Sequence, residues 1–272
     1  MDEGVPVSYR IAGLQHPGVP GSPAENLRVL ERAAEQAAAD GARLLVTSEM
    51  FVTGYNIGER AAEFAARPLE AELAGIAQRT GIALVAGLPL PAPGGVGTTN
   101  SLLLIDRDGR RVVRYDKTHL FGELDRAMFV AGDELAEPVD FEGLRLGFLI
   151  CYDVEFPETV RAAALAGADL VIVPTAQMEP YAFIAEHLLR VRAWENQVHL
   201  AYVNHSGAEG ELRYVGRSSI VAPSGEVLAA AGPDDAELII ADIDVDAVPR
   251  ARRDNPYLAD RRPRLYAAGG AA

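Results

Sequence analysis

The sequence predicts an α/β fold, with helices covering a sheet. Three observations carry that expectation. Short apolar runs alternate with stretches of helical period through the first half and the middle of the chain. The last apolar runs follow one another through turns such as Pro223-Ser224-Gly225-Glu226, which adds antiparallel pairing. The 272 residues are 49% hydrophobic and 24% charged, ordinary globular usage with enough apolar material for one large core.

Taken in order, Val7 to Leu14 reads as a strand, and the alanine-rich segment Ala24 to Ala39 as a helix. Ala42 to Val46 is a short apolar strand ending just before Glu49. Glu59 to Gln78 reads as one helix and Ile82 to Leu88 as a strand. Ser101 to Ile105 and Arg111 to Tyr115 flank Asp106-Arg107-Asp108-Gly109, a hairpin signature. Leu144 to Ile150 is apolar and runs into Cys151. A helix then spans Pro157 to Ala166, closed by Gly167. Leu170 to Val173 is a strand and Tyr181 to Asn196 a helix. Val198 to Val203, Ser218 to Val221 and Leu238 to Ile243 complete the strands. The Arg- and Pro-rich tail from Pro249 has no periodic pattern and reads either as an extension over a neighbouring subunit or as a partly loose end. The proline- and glycine-rich stretches at 17–23 and 89–97 are loops, since apolar runs resume after each. No composition shift marks a boundary, so a single domain over 1–272 is expected.

Charge and composition narrow the function classes. The 25 basic and 39 acidic residues give a net charge of −14, the wrong sign for a nucleic-acid binder. No apolar run reaches the roughly 18 residues of a membrane helix. Met1-Asp2-Glu3-Gly4 lacks the basic-then-apolar pattern of a signal peptide, so a cytoplasmic protein is expected. A single cysteine forms no internal disulfide, and no Cys/His cluster suggests a metal.

Cys151 is the one candidate nucleophile of its kind. It follows a strand and precedes a helix, a turn that stands a side chain clear of the sheet's carboxyl edge. Acyl transfer by cysteine needs a base and an oxyanion stabiliser. Of the five histidines, His205 is best placed on a loop, whereas His187 is mid-helix and His199 opens a strand. Carboxylates offer another route: Glu49 lies just past a buried strand, where burial would raise its pKa toward neutrality. Lys117 ends a third strand. These three strand ends converge only if their strands are neighbours.

At these residues the sequence resembles the nitrilase superfamily of carbon–nitrogen hydrolases. Three segments carry the resemblance: Ser48-Glu49-Met50-Phe51-Val52-Thr53-Gly54-Tyr55, Tyr115-Asp116-Lys117-Thr118-His119-Leu120-Phe121, and Ile150-Cys151-Tyr152-Asp153-Val154-Glu155-Phe156-Pro157-Glu158. Pro174-Thr175-Ala176 and Arg192-Ala193-Trp194-Glu195-Asn196 support it. The resemblance implies a four-layer α-β-β-α sandwich and a Glu-Lys-Cys catalytic set without a cofactor. Glu49 would be general base and then acid, and Cys151 would form a thioester. Lys117 would stabilise the oxyanion with the Tyr152 N–H. Many members add a second acidic residue between Lys and Cys. Counting about eight positions after the lysine reaches Asp125, whereas Glu123 is the chemical match to the usual glutamate.

The segment from His119 to Phe129 is most similar to the small bacterial amidase branch, which acts on primary carboxamides. An ω-amidase acting on 2-oxo acid amides and an N-carbamoyl amine hydrolase are the alternatives. Several relatives, ω-amidases among them, carry arginine at the position of Glu155, and a glutamate there disfavours acidic substrates and favours cationic ones. Tyr55, Tyr152, Glu155, Thr175, Ala176 and Asn204 are the expected pocket residues. The resemblance also implies a homodimer or larger homo-oligomer, in contact through the Tyr181–Asn196 helix and the helix after Cys151. Outside enzymes, a non-catalytic scaffold and a thiol sensor are the competing classes. The three catalytic residues together argue against a scaffold, and the lack of a resolving cysteine argues against a sensor.

Overall fold

The computed structural model describes residues 8–266, so the start of the first expected strand at Val7 and the last six residues lie outside the described part. Two six-stranded sheets are stacked face to face. The first is built from β1 (Ser8–Gln15), β2 (Leu44–Thr47), β3 (Ala83–Pro91), β4 (Thr98–Ile105) and β5 (Arg111–Asp116). The second uses β6 (Val139–Phe141), β7 (Leu144–Phe148), β8 (Leu170–Pro174) and β9 (His199–Val203). A small ribbon, β10 (Ala208–Glu209) and β11 (Leu212–Arg213), stands apart. Then β12 (Ser219–Val221) and β13 (Val227–Ala230) extend the second sheet, and β14 (Glu237–Asp244) returns to the first.

The strand orders are β14-β1-β2-β3-β4-β5 and β6-β7-β8-β9-β12-β13. Each sheet pairs antiparallel, parallel, parallel, antiparallel, antiparallel in that order. The two halves therefore share one topology. In each, three central parallel strands are joined by helical crossovers and the ends are antiparallel.

Helices cover both outer faces. On the first sheet lie α1 (Pro23–Ala39), α2 (Arg60–Ala65) and α3 (Leu69–Thr80). The short α4 (Gly122–Met128) lies between the halves of the chain. On the second sheet lie α5 (Pro157–Leu165) and α6 (Leu189–Asn196). Alternation along the strands feeds three apolar layers. Leu44 and Val46 of β2 face the core between the sheets, while Leu45 faces the helices. In β8, Leu170 and Ile172 point inward and Val171 and Val173 point to α5 and α6. Burial on both faces is why these strands read as unbroken apolar runs. The result is the four-layer α-β-β-α sandwich.

Three expectations need correction. The single helix over Glu59 to Gln78 is two helices, because Pro68 lacks the N–H that a continuous helix would use. The Tyr181 to Asn196 helix opens with a π turn at Ile184–Leu188 before α6. The tail from Pro249 is not patternless: α7 (Ala247–Asp254) packs on its own chain. There Arg252 donates to the Ala168 carbonyl at 3.1 Å, and the Gln197 amide donates to the Ala251 carbonyl at 2.7 Å. A last turn, α8, covers Pro263–Tyr266. Among the described residues no helix is long and apolar enough to cross a membrane.

Candidate active site

The chain leaving β2 carries Glu49 across the top of β3. It can do so because position 87 of β3 is glycine: a Cβ there would overlap the Met50 backbone nitrogen and press on the Ser48 carbonyl at 2.9 Å. Met50 turns the chain with a positive φ of 53°, and the Val52 N–H donates to the Gly87 carbonyl at 3.2 Å. Glu49 itself is fully buried. Its Oε1 accepts from Asn100 of β4 at 2.6 Å and from the Lys117 ammonium at 2.7 Å, while Oε2 has no hydrogen-bond partner.

Lys117 follows β5 directly and is also fully buried. Its Nζ donates to Glu49 Oε1 and, at 2.8 Å, to Asp125 Oδ2. Asp125, on α4, is buried too; its Oδ1 accepts from the Tyr55 hydroxyl at 2.7 Å and its Oδ2 from the Phe121 N–H at 2.8 Å. The structure thus separates the two acidic candidates. Asp125 joins the buried cluster, whereas Glu123 points to solvent, its side chain 96% exposed and 3.5 Å from Arg126. One turn of α4 explains the difference, since residues two apart lie on opposite faces of a helix.

Cys151 belongs to the other sheet. It leaves β7 at the start of a 3-10 turn spanning Cys151–Glu155, with φ +46°. A left-handed φ is uncommon for a residue with a Cβ and marks a constrained turn. Asp153 holds that turn in place. Its carboxylate accepts from the Ile150 N–H at 3.0 Å, the Tyr115 hydroxyl at 2.8 Å, the Thr118 hydroxyl at 2.9 Å and the His119 N–H at 2.9 Å. The nucleophile's turn is therefore laced to the segment that bears Lys117. The thiol is buried, with the Thr175 hydroxyl and the Ala176 N–H beside it.

Protonation follows from these surroundings. Burial pushes Glu49 above the ordinary carboxylate range; Lys117 opposes this and the Asp125 charge adds to it. Burial also pushes the Cys151 thiol well above its usual value, reinforced by the Glu49 charge and opposed by Lys117. Burial alone would lower Lys117, but the charges of Glu49 and Asp125 outweigh it and hold the ammonium well above its ordinary value. The resting thiol is neutral and the lysine charged. A neutral thiol, an acceptor oxygen with no partner and a fixed cation form a set that can deprotonate sulfur and stabilise an oxyanion.

Of the expected pocket residues, Tyr55, Tyr152, Glu155 and Ala176 line the narrow pocket over Cys151, about 230 Å³ of empty space including its mouth. Most of that space is open mouth and little of it is enclosed, so the pocket suits only a small ligand. Phe121, Gln177 and Met178 also line it, and the sequence reading missed them. Thr175 lies behind the thiol instead. Asn204 does not face the pocket. Its amide is consumed by the backbone, accepting from the Gln177 and His205 N–H groups at 2.8 and 2.9 Å and donating to the Gly216 carbonyl at 2.8 Å. His205, the best placed histidine in the sequence, is buried against Phe51 and Tyr214, with Nε2 2.6 Å from the Glu49 carbonyl. It anchors the Glu49 backbone rather than facing the pocket. Asn100 and Glu209 were also unforeseen. Glu209 is buried and accepts from the Tyr55 and Asn56 N–H groups, fixing the Tyr55 loop. Mid-strand or ribbon positions carry no sequence signal, but Asp153, two residues beyond the nucleophile, could have been singled out from its motif.

Comparison with known proteins identifies the family. The family model described as carbon–nitrogen hydrolase matches residues 10–253. A Pseudomonas protegens protein named "Hydrolase in pqqF 5'region" is 48% identical over 263 residues, covering 95% of this chain and 91% of its own. An (R)-stereoselective amidase from Pseudomonas sp. is 36% identical, covering 93% and 91%. Among solved structures, an amidase from Nesterenkonia sp. AN1 superposes with a TM-score of 0.87 at 39% identity, covering 96% of this chain and 99% of that one. A mutant of that amidase shows covalent addition of the acetamide moiety of fluoroacetamide at the active-site cysteine. The chain belongs to the carbon–nitrogen hydrolases, as an amidase of the nitrilase superfamily.

Proposed function

We propose that the chain hydrolyses small primary carboxamides to a carboxylate and ammonia through a thioester on Cys151. The observation that carries this reading is the Lys117 ammonium, fixed between Glu49 and Asp125 beside a neutral thiol. Glu49, ionised, takes the thiol proton as sulfur attacks the amide carbon. Lys117 and the Tyr152 N–H stabilise the oxyanion, whose charge develops only in the transition state. Glu49 passes the proton to the leaving nitrogen and ammonia departs. Glu49 then deprotonates a water that attacks the thioester, and the proton returns to sulfur. Asp125 keeps Lys117 beside the developing oxyanion, and Thr175 supports the thiol from behind.

The test is ammonia release from glutamine, prolinamide, 2-oxoglutaramate, simple aliphatic amides and carbamoylputrescine, with Cys151→Ala as control. Turnover of one class, lost in the mutant, supports the reading; silence across the panel contradicts it. An ω-amidase reading has some support in the 28% identity to a 2-oxoglutaramate amidase from Bacillus subtilis, but Glu155 in the pocket repels a substrate carboxylate. We also propose a homo-oligomer formed through α5 and α6, on which Leu165, Val191 and Trp194 are about half exposed. A monomer by light scattering at micromolar concentration contradicts that assembly.

A further inference from the structure

One acidic side chain in the Cys151 pocket has no part in the amide chemistry. Glu155 lines the pocket and ends the 3-10 turn that begins at the nucleophile. Four residues of 3-10 helix at about 2.0 Å each put the two backbone positions about 8 Å apart along the turn. Both side chains line the same narrow pocket, so the carboxylate shares that space with the carboxamide that Cys151 attacks. Among the described residues no cation forms an ion pair with it. The two nearby cations are committed elsewhere. Lys117 is held by Glu49 and Asp125. The Arg192 guanidinium donates to the Val154 carbonyl at 3.0 Å and the Glu155 carbonyl at 2.7 Å, and pairs with Glu195 at 2.8 Å. Burial pushes the pKa of the carboxylate up, opposed by the Gln177 side chain and, without an ion pair, by the charges of Lys117 and Arg192. A partly buried carboxylate left without a cation is costly unless the ligand brings one. Phe121 and Tyr152 line the same space and pack edge-on to each other at 5.3 Å, and the face of such a ring attracts a cation.

We propose that Glu155 binds an ammonium group of the substrate, so that the preferred amides carry a cation a few bonds from the carboxamide. The assignment rests on the amidase reading above for its chemistry and deepens it by naming the substrate class. It makes Glu155 a specificity residue: the substrate's ammonium supplies the missing counter-charge, and an acidic amide meets repulsion in the same place.

The test uses matched pairs of equal size: glycinamide with propionamide, β-alaninamide with butyramide, and 4-aminobutanamide with pentanamide. For the wild-type protein, kcat/KM is expected to favour the ammonium member of at least one pair by 10-fold or more. In Glu155→Gln that ratio is expected to fall at least 10-fold, with the change mainly in KM. Glu155→Arg is expected to shift preference toward succinamate, so the assignment does not depend on one variant. Calorimetric binding of the same pairs to the Cys151→Ala protein reads the site without turnover. Tighter binding of the cationic member there, lost in Cys151→Ala/Glu155→Gln, supports the assignment even if no amide is hydrolysed, an outcome that would sink the amidase reading alone. Ratios at or below one for every pair, in both turnover and binding, overturn the assignment. So does a preference that survives Glu155→Gln. Turnover of the neutral amides alone would leave the amidase reading standing without it.

Discussion

The two sheets repeat one topology and bring different things to their shared edge. The first sheet supplies charge. Glu49 leaves β2, Lys117 leaves β5 and Asn100 sits in β4, and together with Asp125 they form a buried set joined by hydrogen bonds of 2.6–2.8 Å. The second sheet supplies the nucleophile and neutral groups: Cys151 after β7, and Thr175 and Ala176 after β8. Electrostatics holds one half, where a buried cation fixes two carboxylates. Backbone geometry holds the other, where a left-handed residue and the Asp153 network fix a thiol. The difference predicts that removing the buried cation destabilises the fold, whereas removing the nucleophile's side chain does not.

Replacing one side chain in each half sharpens that contrast. Cys151→Ala is expected to lower ammonia release by about 10,000-fold or more while leaving the denaturation midpoint nearly unchanged. Lys117→Met is expected to abolish activity and also to cost about 3–5 kcal/mol of stability, because Glu49 and Asp125 would face each other without their cation. Denaturant titration of both variants checks this, and equal stability losses would break the comparison. Next in size is the bridge between the halves. Asp153→Asn is expected to lower kcat by about 100-fold through misplacement of the thiol and to cost about 1–3 kcal/mol. Activity near wild type would show that the network does not position Cys151.

The smallest expected effect on stability is at Glu49. Its folded pKa is raised, so folding favours the neutral carboxyl. That contribution is present below the unfolded pKa and is lost as pH rises through the folded value. At neutral pH that contribution is gone, and because Asp125 still holds Lys117, Glu49→Gln is expected to change thermal unfolding by no more than about 1 kcal/mol while losing activity. In the wild type, kcat/KM is expected to fall on the acid side at a pH above the ordinary carboxylate value of about 4.3. No alkaline fall is expected below about pH 8.5, since Cys151 and Lys117 are both shifted upward.

Much of the fold could be read from the sequence because its strands are buried on both faces and its turns carry strong local chemistry. The Asp106 hairpin is one case: the Asp106 carboxylate accepts from the Asp108 and Arg110 N–H groups, and Gly109 takes φ +81°. Glu49, Lys117 and Cys151 were visible as strand-end residues, but the condition set for their convergence was wrong. Their strands are not neighbours, since β3 and β4 separate β2 from β5 and β7 lies in the other sheet. They meet because Gly87 lets the Glu49 segment cross β3 and because the lysine side chain is long. Such close approaches are three-dimensional facts with no local pattern. The choice between Asp125 and Glu123 likewise depended on which face of α4 turns inward. Asn204 and His205 looked functional because polar residues on a loop after a strand often are, yet backbone hydrogen bonds occupy both.

The central claim, an acyl-enzyme on Cys151, is tested most directly by trapping with hydroxylamine. Cys151 is the only cysteine in the sequence, so a thioester has one possible site. The account predicts that a turned-over amide and the matching methyl ester give the same ratio of hydroxamate to acid at fixed hydroxylamine, because both pass through one acyl-enzyme. Cys151→Ala should give neither product. Ratios that differ between amide and ester, or acid formation with no hydroxamate, would contradict it.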